Sequence, residues 1–257
     1  MSRAGRMVAV GIVAAVLAGC AGSARGRASA ATPTAAAPSA TSPSATSPSA
    51  SAGPSLAREA ADWDVDGDGR RDRAWLVYLG GYGPDNWELV VDMTSLGRQT
   101  ARFTGGPVLP GNTAAPTIAG SVDADGGGHA DIFVKVSSGA STQFWTIFTL
   151  VGGRIQQVTS QGQPVRLAVN GSATHQGGFR CDGARFVTVN EGVELPGYTT
   201  WRYERETFAW SGGELMLVST QTGQVTSAQP GSPPAAFSGV SCGNLPQYAP
   251  AYTPSTG

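Results

Sequence analysis

Two short stretches of this chain place carboxylates at intervals that suit cation binding. Asp64-Val65-Asp66-Gly67-Asp68-Gly69-Arg70-Arg71-Asp72 and Asp123-Ala124-Asp125-Gly126-Gly127-Gly128-His129-Ala130-Asp131 both follow the pattern Asp-x-Asp-Gly-x-Gly-x-x-Asp. Ca²⁺ takes roughly six to eight oxygen ligands, and alternating carboxylates on a tight loop converge on one point. Glycine permits the positive-φ turns such a loop needs. In the first loop Asp64, Asp66, Asp68 and Asp72 can donate side-chain oxygens, and Arg70 can offer its backbone carbonyl. Four carboxylates on so short a loop repel one another unless a cation sits among them.

The second loop has Gly127 where the first has Asp68, so it lacks one carboxylate. Asp123, Asp125 and Asp131 remain, and a weaker calcium site is expected. His129 aligns with Arg70, so its backbone carbonyl is the expected ligand. Its ring is not expected to bind a soft metal, since no second His or Cys stands nearby in sequence. A third loop, Arg180-Cys181-Asp182-Gly183-Ala184-Arg185, keeps one acid and is expected to bind nothing. An EF-hand is disfavoured for the first loop: no helices flank it, and Trp75 stands where that motif needs Glu.

Little else suggests catalysis. There is no Gly-x-Ser-x-Gly elbow, His-Glu-x-x-His pair or phosphate-binding loop. His175 sits in a polar turn. Glu191 and Glu194 precede Pro196, and paired carboxylates can hydrolyse glycosides, but nothing in the sequence sets these two across a cleft. Asn170-Gly171-Ser172 reads as a turn. The residues favour a non-catalytic recognition or adhesion-like module. The alternatives are a secreted hydrolase acting on cell-wall or glycan material and an accessory subunit of an envelope complex.

The elements that must carry these loops read as strands. Ala74 to Leu79, Trp87 to Met93, Ile132 to Val136 and Phe186 to Val189 are short runs rich in β-branched and aromatic residues, bounded by turn residues. No helix-length stretch with a 3.6-residue period follows the N-terminal segment. The pattern also repeats. Trp87, Trp145 and Trp201 fall 15, 14 and 16 residues after Asp72, Asp131 and Arg185, which close the three loops. Third strands are expected near Arg98, Arg154 and Glu214. The prediction is an all-β domain of three blade-like antiparallel sheet units, with the three Trp rings filling the core.

The acidic loops and their following strands resemble FG-GAP/VCBS repeats, found in integrin-like propellers and in many secreted bacterial proteins. The resemblance covers residues 62 to about 220. It implies calcium bound between the strands of a blade. Phe179-Arg180-Cys181 through the Trp201 strand is similar to the closing part of secreted actinobacterial lipoproteins. A closed propeller usually needs at least four blades, so three units imply an incomplete propeller, a sandwich-like stack or an oligomer.

The N-terminus reads as an address. Arg3 and Arg6 precede a run from Met7 to Ala18 that is apolar apart from Gly11, which suits a signal-peptide core. It ends in Leu17-Ala18-Gly19-Cys20, which resembles the lipobox of bacterial lipoproteins. The resemblance implies removal of residues 1–19 and a lipidated Cys20, hence anchorage outside the cytoplasm on the outer face of the cell membrane. From Cys20 to position 57 the chain is a tether of nearly all Ala, Ser, Thr, Pro and Gly with no acid and no aromatic residue. Such a segment buries too little apolar surface to offset its ordering entropy. The β domain is expected over 58–245 and a flexible tail over 246–257.

Charge and cysteine content bound the partners. The 257-residue chain has a net charge of −1, and all 18 acidic residues lie beyond position 57. Thirteen basic residues share that region, giving −5 (13 − 18), which argues against nucleic acid as partner. The expected partners are the membrane, through the lipid, and an envelope protein or glycan. With Cys20 given to lipid, Cys181 and Cys242 are an even pair in an oxidising compartment, expected to form a disulfide. The alternative is two buried thiols.

Overall fold

The computed structural model describes residues 60–106, 115–139, 141–171, 175–182, 185–194, 199–226 and 239–245, all within the unit Ala50–Gly257. The expected leader, Cys20, the tether and the expected tail lie outside the described residues. So do Gly183 and Ala184 of the third loop and the side chains of Glu191 and Glu194.

Three sheets repeat one antiparallel meander. The first is β1 (Ala60–Trp63), β2 (Asp72–Tyr78), β3 (Trp87–Met93) and β4 (Gly97–Phe103), ordered β1-β2-β3-β4. The second runs β5 (Thr117–Val122), β6 (Asp131–Ser138) and β7 (Thr142–Val151). Two strands share the outer edge of β7. One end pairs with β8 (Arg154–Gln157), the other with β11 (Leu167–Asn170). The third sheet is built on β12 (His175–Asp182), β13 (Arg185–Glu194), β14 (Thr200–Ser211) and β15 (Glu214–Thr226). It is extended at its edges by the short β16 (Gly239–Ser241), parallel to β12, and by β9 (Thr159–Ser160), parallel to β15, with β10 (Gln163–Pro164) beyond β9. The described residues form no helix and no closed barrel.

In each unit the polar loop joins the first strand to the second, and its last residue opens the second strand: Asp72, Asp131 and Arg185. The strands expected near Arg98, Arg154 and Glu214 begin at Gly97, Arg154 and Glu214. Trp87 opens β3, whereas Trp145 and Trp201 lie just inside β7 and β14.

Burial explains why the strand sequences differ in texture. β2 alternates buried and more exposed residues, as an outer sheet with one covered face must. β6 begins with four consecutive buried residues. Its alternate side chains serve two cores. Ile132, Val134 and Val136 pack with Leu76, Trp87, Leu89 and Phe103 of the first sheet. Phe133 packs the other way, with Phe179, Phe186 and Val240 of the third. The middle sheet is therefore buried on both faces, and its uninterrupted apolar run is the sequence signature of that position. Phe133 and Phe186 stack on either side of Phe179, with ring centroids 5.6 and 5.4 Å away. Cys181, at the end of β12, is disulfide-bonded to Cys242, just past β16, with their Cα atoms 4.7 Å apart.

All three repeat Trp rings are buried, but not in one kind of place. Trp87 and Trp145 belong to the cores on either side of the middle sheet. Trp201 lies in a separate small cluster with Tyr203 and Val225, out along the β14–β15 hairpin. The expectation that it would fill the space between stacked sheets is corrected accordingly. Phe208, Trp210 and Leu215 of that hairpin reach the main core, whereas Trp201 pairs with Val225 toward its other end.

Candidate metal centre

The two acidic loops fold alike, down to individual hydrogen bonds. Gly67 and Gly69 have φ of 77° and 81°, and Gly126 and Gly128 have 76° and 80°. These are left-handed conformations that side chains rarely adopt, and they turn the intervening N–H groups inward. Asp64 Oδ2 accepts from Gly69 N–H at 2.8 Å, as Asp123 Oδ2 accepts from Gly128 N–H at 3.1 Å. Asp66 Oδ1 accepts from Asp68 N–H at 3.2 Å, and Asp125 Oδ1 from Gly127 N–H at 2.7 Å. The closing residues Asp72 and Asp131 fold back on the loop through Oδ2, taking Val65 N–H at 2.7 Å and Ala124 N–H at 2.9 Å.

The loops also touch each other. Ala130 N–H donates to the Asp64 carbonyl at 3.1 Å. A Cβ on Gly67 would stand 3.0 Å from the Gly128 carbonyl oxygen. The first and second sheets thus present their loops side by side.

Asp64, Asp66 and Asp72 each bring one carboxylate oxygen to within 4.8 Å of the others. That separation is about twice a Ca²⁺–oxygen bond, so one ion can reach all three. Asp68 is not part of this group. It is exposed, and its Oδ1 accepts from Arg70 N–H at 2.8 Å. Ser95, in the β3–β4 turn, donates its hydroxyl to Asp66 Oδ2 at 2.5 Å, and Thr94 N–H donates to Asp72 Oδ1 at 3.1 Å. Sequence reasoning missed both, because they come from a turn more than twenty residues away.

In the second loop the convergent group is Asp125, His129 and Asp131, again within 4.8 Å of one another. The ring of His129 joins the carboxylates, where the sequence suggested a role for its carbonyl alone. Asp123 is exposed and engaged with Gly128 N–H.

Both groups contain buried oxygens that no hydrogen bond satisfies. Asp64 Oδ1 is one and Asp131 Oδ1 the other, and His129 Nδ1 is buried and unpartnered too. Buried polar atoms are almost always paired, and these three lie among the converging loop side chains. Asp131 is fully buried. Burial pushes its carboxyl up to about 6, with Asp125 adding to the rise. The Thr149 hydroxyl, the Ala124 N–H and His129 act in the opposite direction. Thr149 Oγ1 is also buried and does not reach hydrogen-bond geometry with Oδ1. Asp72 is raised as well, by burial first, while N–H donation from Val65 and Thr94 pulls it back.

The described clefts are sparing in acids. One of about 240 Å³ is lined by Asp85, Arg166, Thr146 and Gln157. Another of about 300 Å³, against the third sheet, is lined by Glu206, Arg166, Thr188 and Phe208. Each carries a single carboxylate. His175 is exposed at the start of β12. Comparison with protein-family models, with curated proteins and with solved structures found no match to this chain.

Proposed function

We propose that this chain is a lipid-anchored, non-catalytic module of the cell envelope, whose β domain is braced by structural calcium and recognises an envelope protein or glycan. The observation that carries the calcium reading is the geometric identity of two Asp-rich loops, with orphaned oxygens on buried Asp64 and Asp131 atoms. The residues fit the ion. Asp64, Asp66 and Asp72 would hold it in the first loop, and the second loop is the weaker cation site. Bound calcium would supply the positive charge that offsets clustered carboxylates. The loop itself contributes preorganisation, since its N–H groups already fix each aspartate.

Recognition is supported by the exposed apolar run Met216-Leu217-Val218 on β15. The anchor reading is supported by the lipobox-like Leu17-Ala18-Gly19-Cys20.

The test is thermal unfolding of the full chain with calcium and with chelator. Extracellular modules bind calcium at about 10⁻⁴–10⁻³ M. Binding to the folded state alone then stabilises by roughly 1.4–2.7 kcal/mol at about 10 mM Ca²⁺. Melting temperature rises with Ca²⁺, less with Mg²⁺, and falls with chelator. Melting indifferent to all three, with no heat on titration of the stripped protein, would overturn the reading.

A further inference from the structure

The two loops share a backbone but not a donor set, and the differences are coupled. The first loop pairs Asp68 with Arg70; the second pairs Gly127 with His129. A Cβ at position 127 would stand 3.1 Å from both Cε1 and Nε2 of His129, and 2.8 Å from Asp125 Oδ1. The missing side chain at 127 is thus the space into which the imidazole folds. Gly127 is not among the positive-φ glycines, so room, not backbone conformation, accounts for it. The exchange removes a hard oxygen ligand and admits a nitrogen one.

The wall of the site is unsatisfied in the same sense. Asp131 is fully buried with Oδ1 unpartnered, and His129 Nδ1 is buried and unpartnered. Asp125, His129 and Asp131 bring their donors within 4.8 Å of one another. Oxygen-only cages suit Ca²⁺ and Mg²⁺. One imidazole with two carboxylates suits zinc and its neighbours, which accept both donor types.

We propose that the second loop is a zinc-class site, in which Asp125, Asp131 and the His129 imidazole hold a borderline transition cation, while the first loop keeps a hard one. This rests on the preceding reading only in taking the second loop as a cation site.

The full chain, purified in detergent and stripped with chelator, is titrated with Zn²⁺ by calorimetry while its imidazoles are followed by nitrogen-15 NMR. The chain has two histidines, so His175→Ala assigns the signals. One saturable equivalent of zinc should shift the His129 signals and leave those of His175 in place. His129→Arg should weaken zinc binding by at least about tenfold, the low end of what even outer-sphere partners contribute. The pair Gly127→Asp and His129→Arg, which copies the first loop, should exchange zinc binding for calcium binding. Asp64→Asn with Asp66→Asn should abolish the first loop's calcium response and spare zinc. No saturable zinc binding, or binding that leaves the His129 signals unmoved, overturns the proposal, and the wild-type spectra decide this even if a variant fails to fold. Zinc binding without any calcium response would sink the calcium reading alone, and the converse would sink this one alone.

Discussion

Buried under the second loop, Asp131 holds its proton to about pH 6 when no cation is present, against 3.8 for a free carboxyl. A group whose folded pKa is raised binds more protons when folded. Its stabilising contribution is therefore complete below about pH 4 and is lost as pH rises through about 6, on the order of 3 kcal/mol in all. Denaturant unfolding of the stripped protein should show this loss from pH 4 to 7, and Asp131→Asn should remove it. Equal slopes for the two proteins would place the carboxyl in a wetter setting. At the first loop, Asp66→Asn should reduce the calcium-induced rise in melting temperature more than Asp68→Asn, because Asp66 belongs to the convergent group and Asp68 does not. Sequence spacing ranked these residues equally. The structure separates them, because Asp68 is exposed and caps Arg70 N–H outside the convergent group.

Between elements, the abutting loops make a measurable unit. Gly67 and Gly69 have similar φ, but a Cβ on Gly67 meets the Gly128 carbonyl at 3.0 Å while one on Gly69 meets open space. Gly69→Ala should cost about 1 kcal/mol, the conformational penalty of a left-handed residue. Gly67→Ala should cost more, and chemical denaturation of the two variants reads the difference. Equal losses would mean the loops do not bear on one another. The strands themselves were legible: the Trp87–Met93 run appears in the fold with those bounds, and Asp72 and Asp131 open β2 and β6 as the loop spacing implied. The partners of the two faces of β6 were not. A run such as Ile132-Phe133-Val134 shows that both faces are covered, but not by which sheets. Phe133→Ala, at the aromatic stack with Phe179, should destabilise by roughly 3–5 kcal/mol.

Across the whole molecule, the Cys181–Cys242 bond spans 61 residues and ties β16 to β12. In the chain-entropy model it contributes roughly 4 kcal/mol. Reduction should lower the denaturation midpoint accordingly, and alkylation without reductant should label neither residue. Anchorage is tested at Cys20. Cys20→Ala should release the protein from membranes or leave it unprocessed; a variant still cut and still membrane-bound would refute the lipid anchor.

The sequence by itself determined what is local. Period-two and continuous apolar runs, turn glycines and the spacing of aspartates are written in neighbouring residues, so strands, repeat units and loop conformation could be read directly. The tertiary structure decided what depends on residues far apart. It set the first loop against the second, brought Ser95 to Asp66 and moved β11 onto the edge of β7. It also left Trp201 outside the main core and turned the His129 ring into the cluster. These outcomes rest on which sheet faces meet and what space a neighbour leaves. A linear pattern carries no term for either, because each depends on the shape of a partner surface that exists only once both sheets have formed.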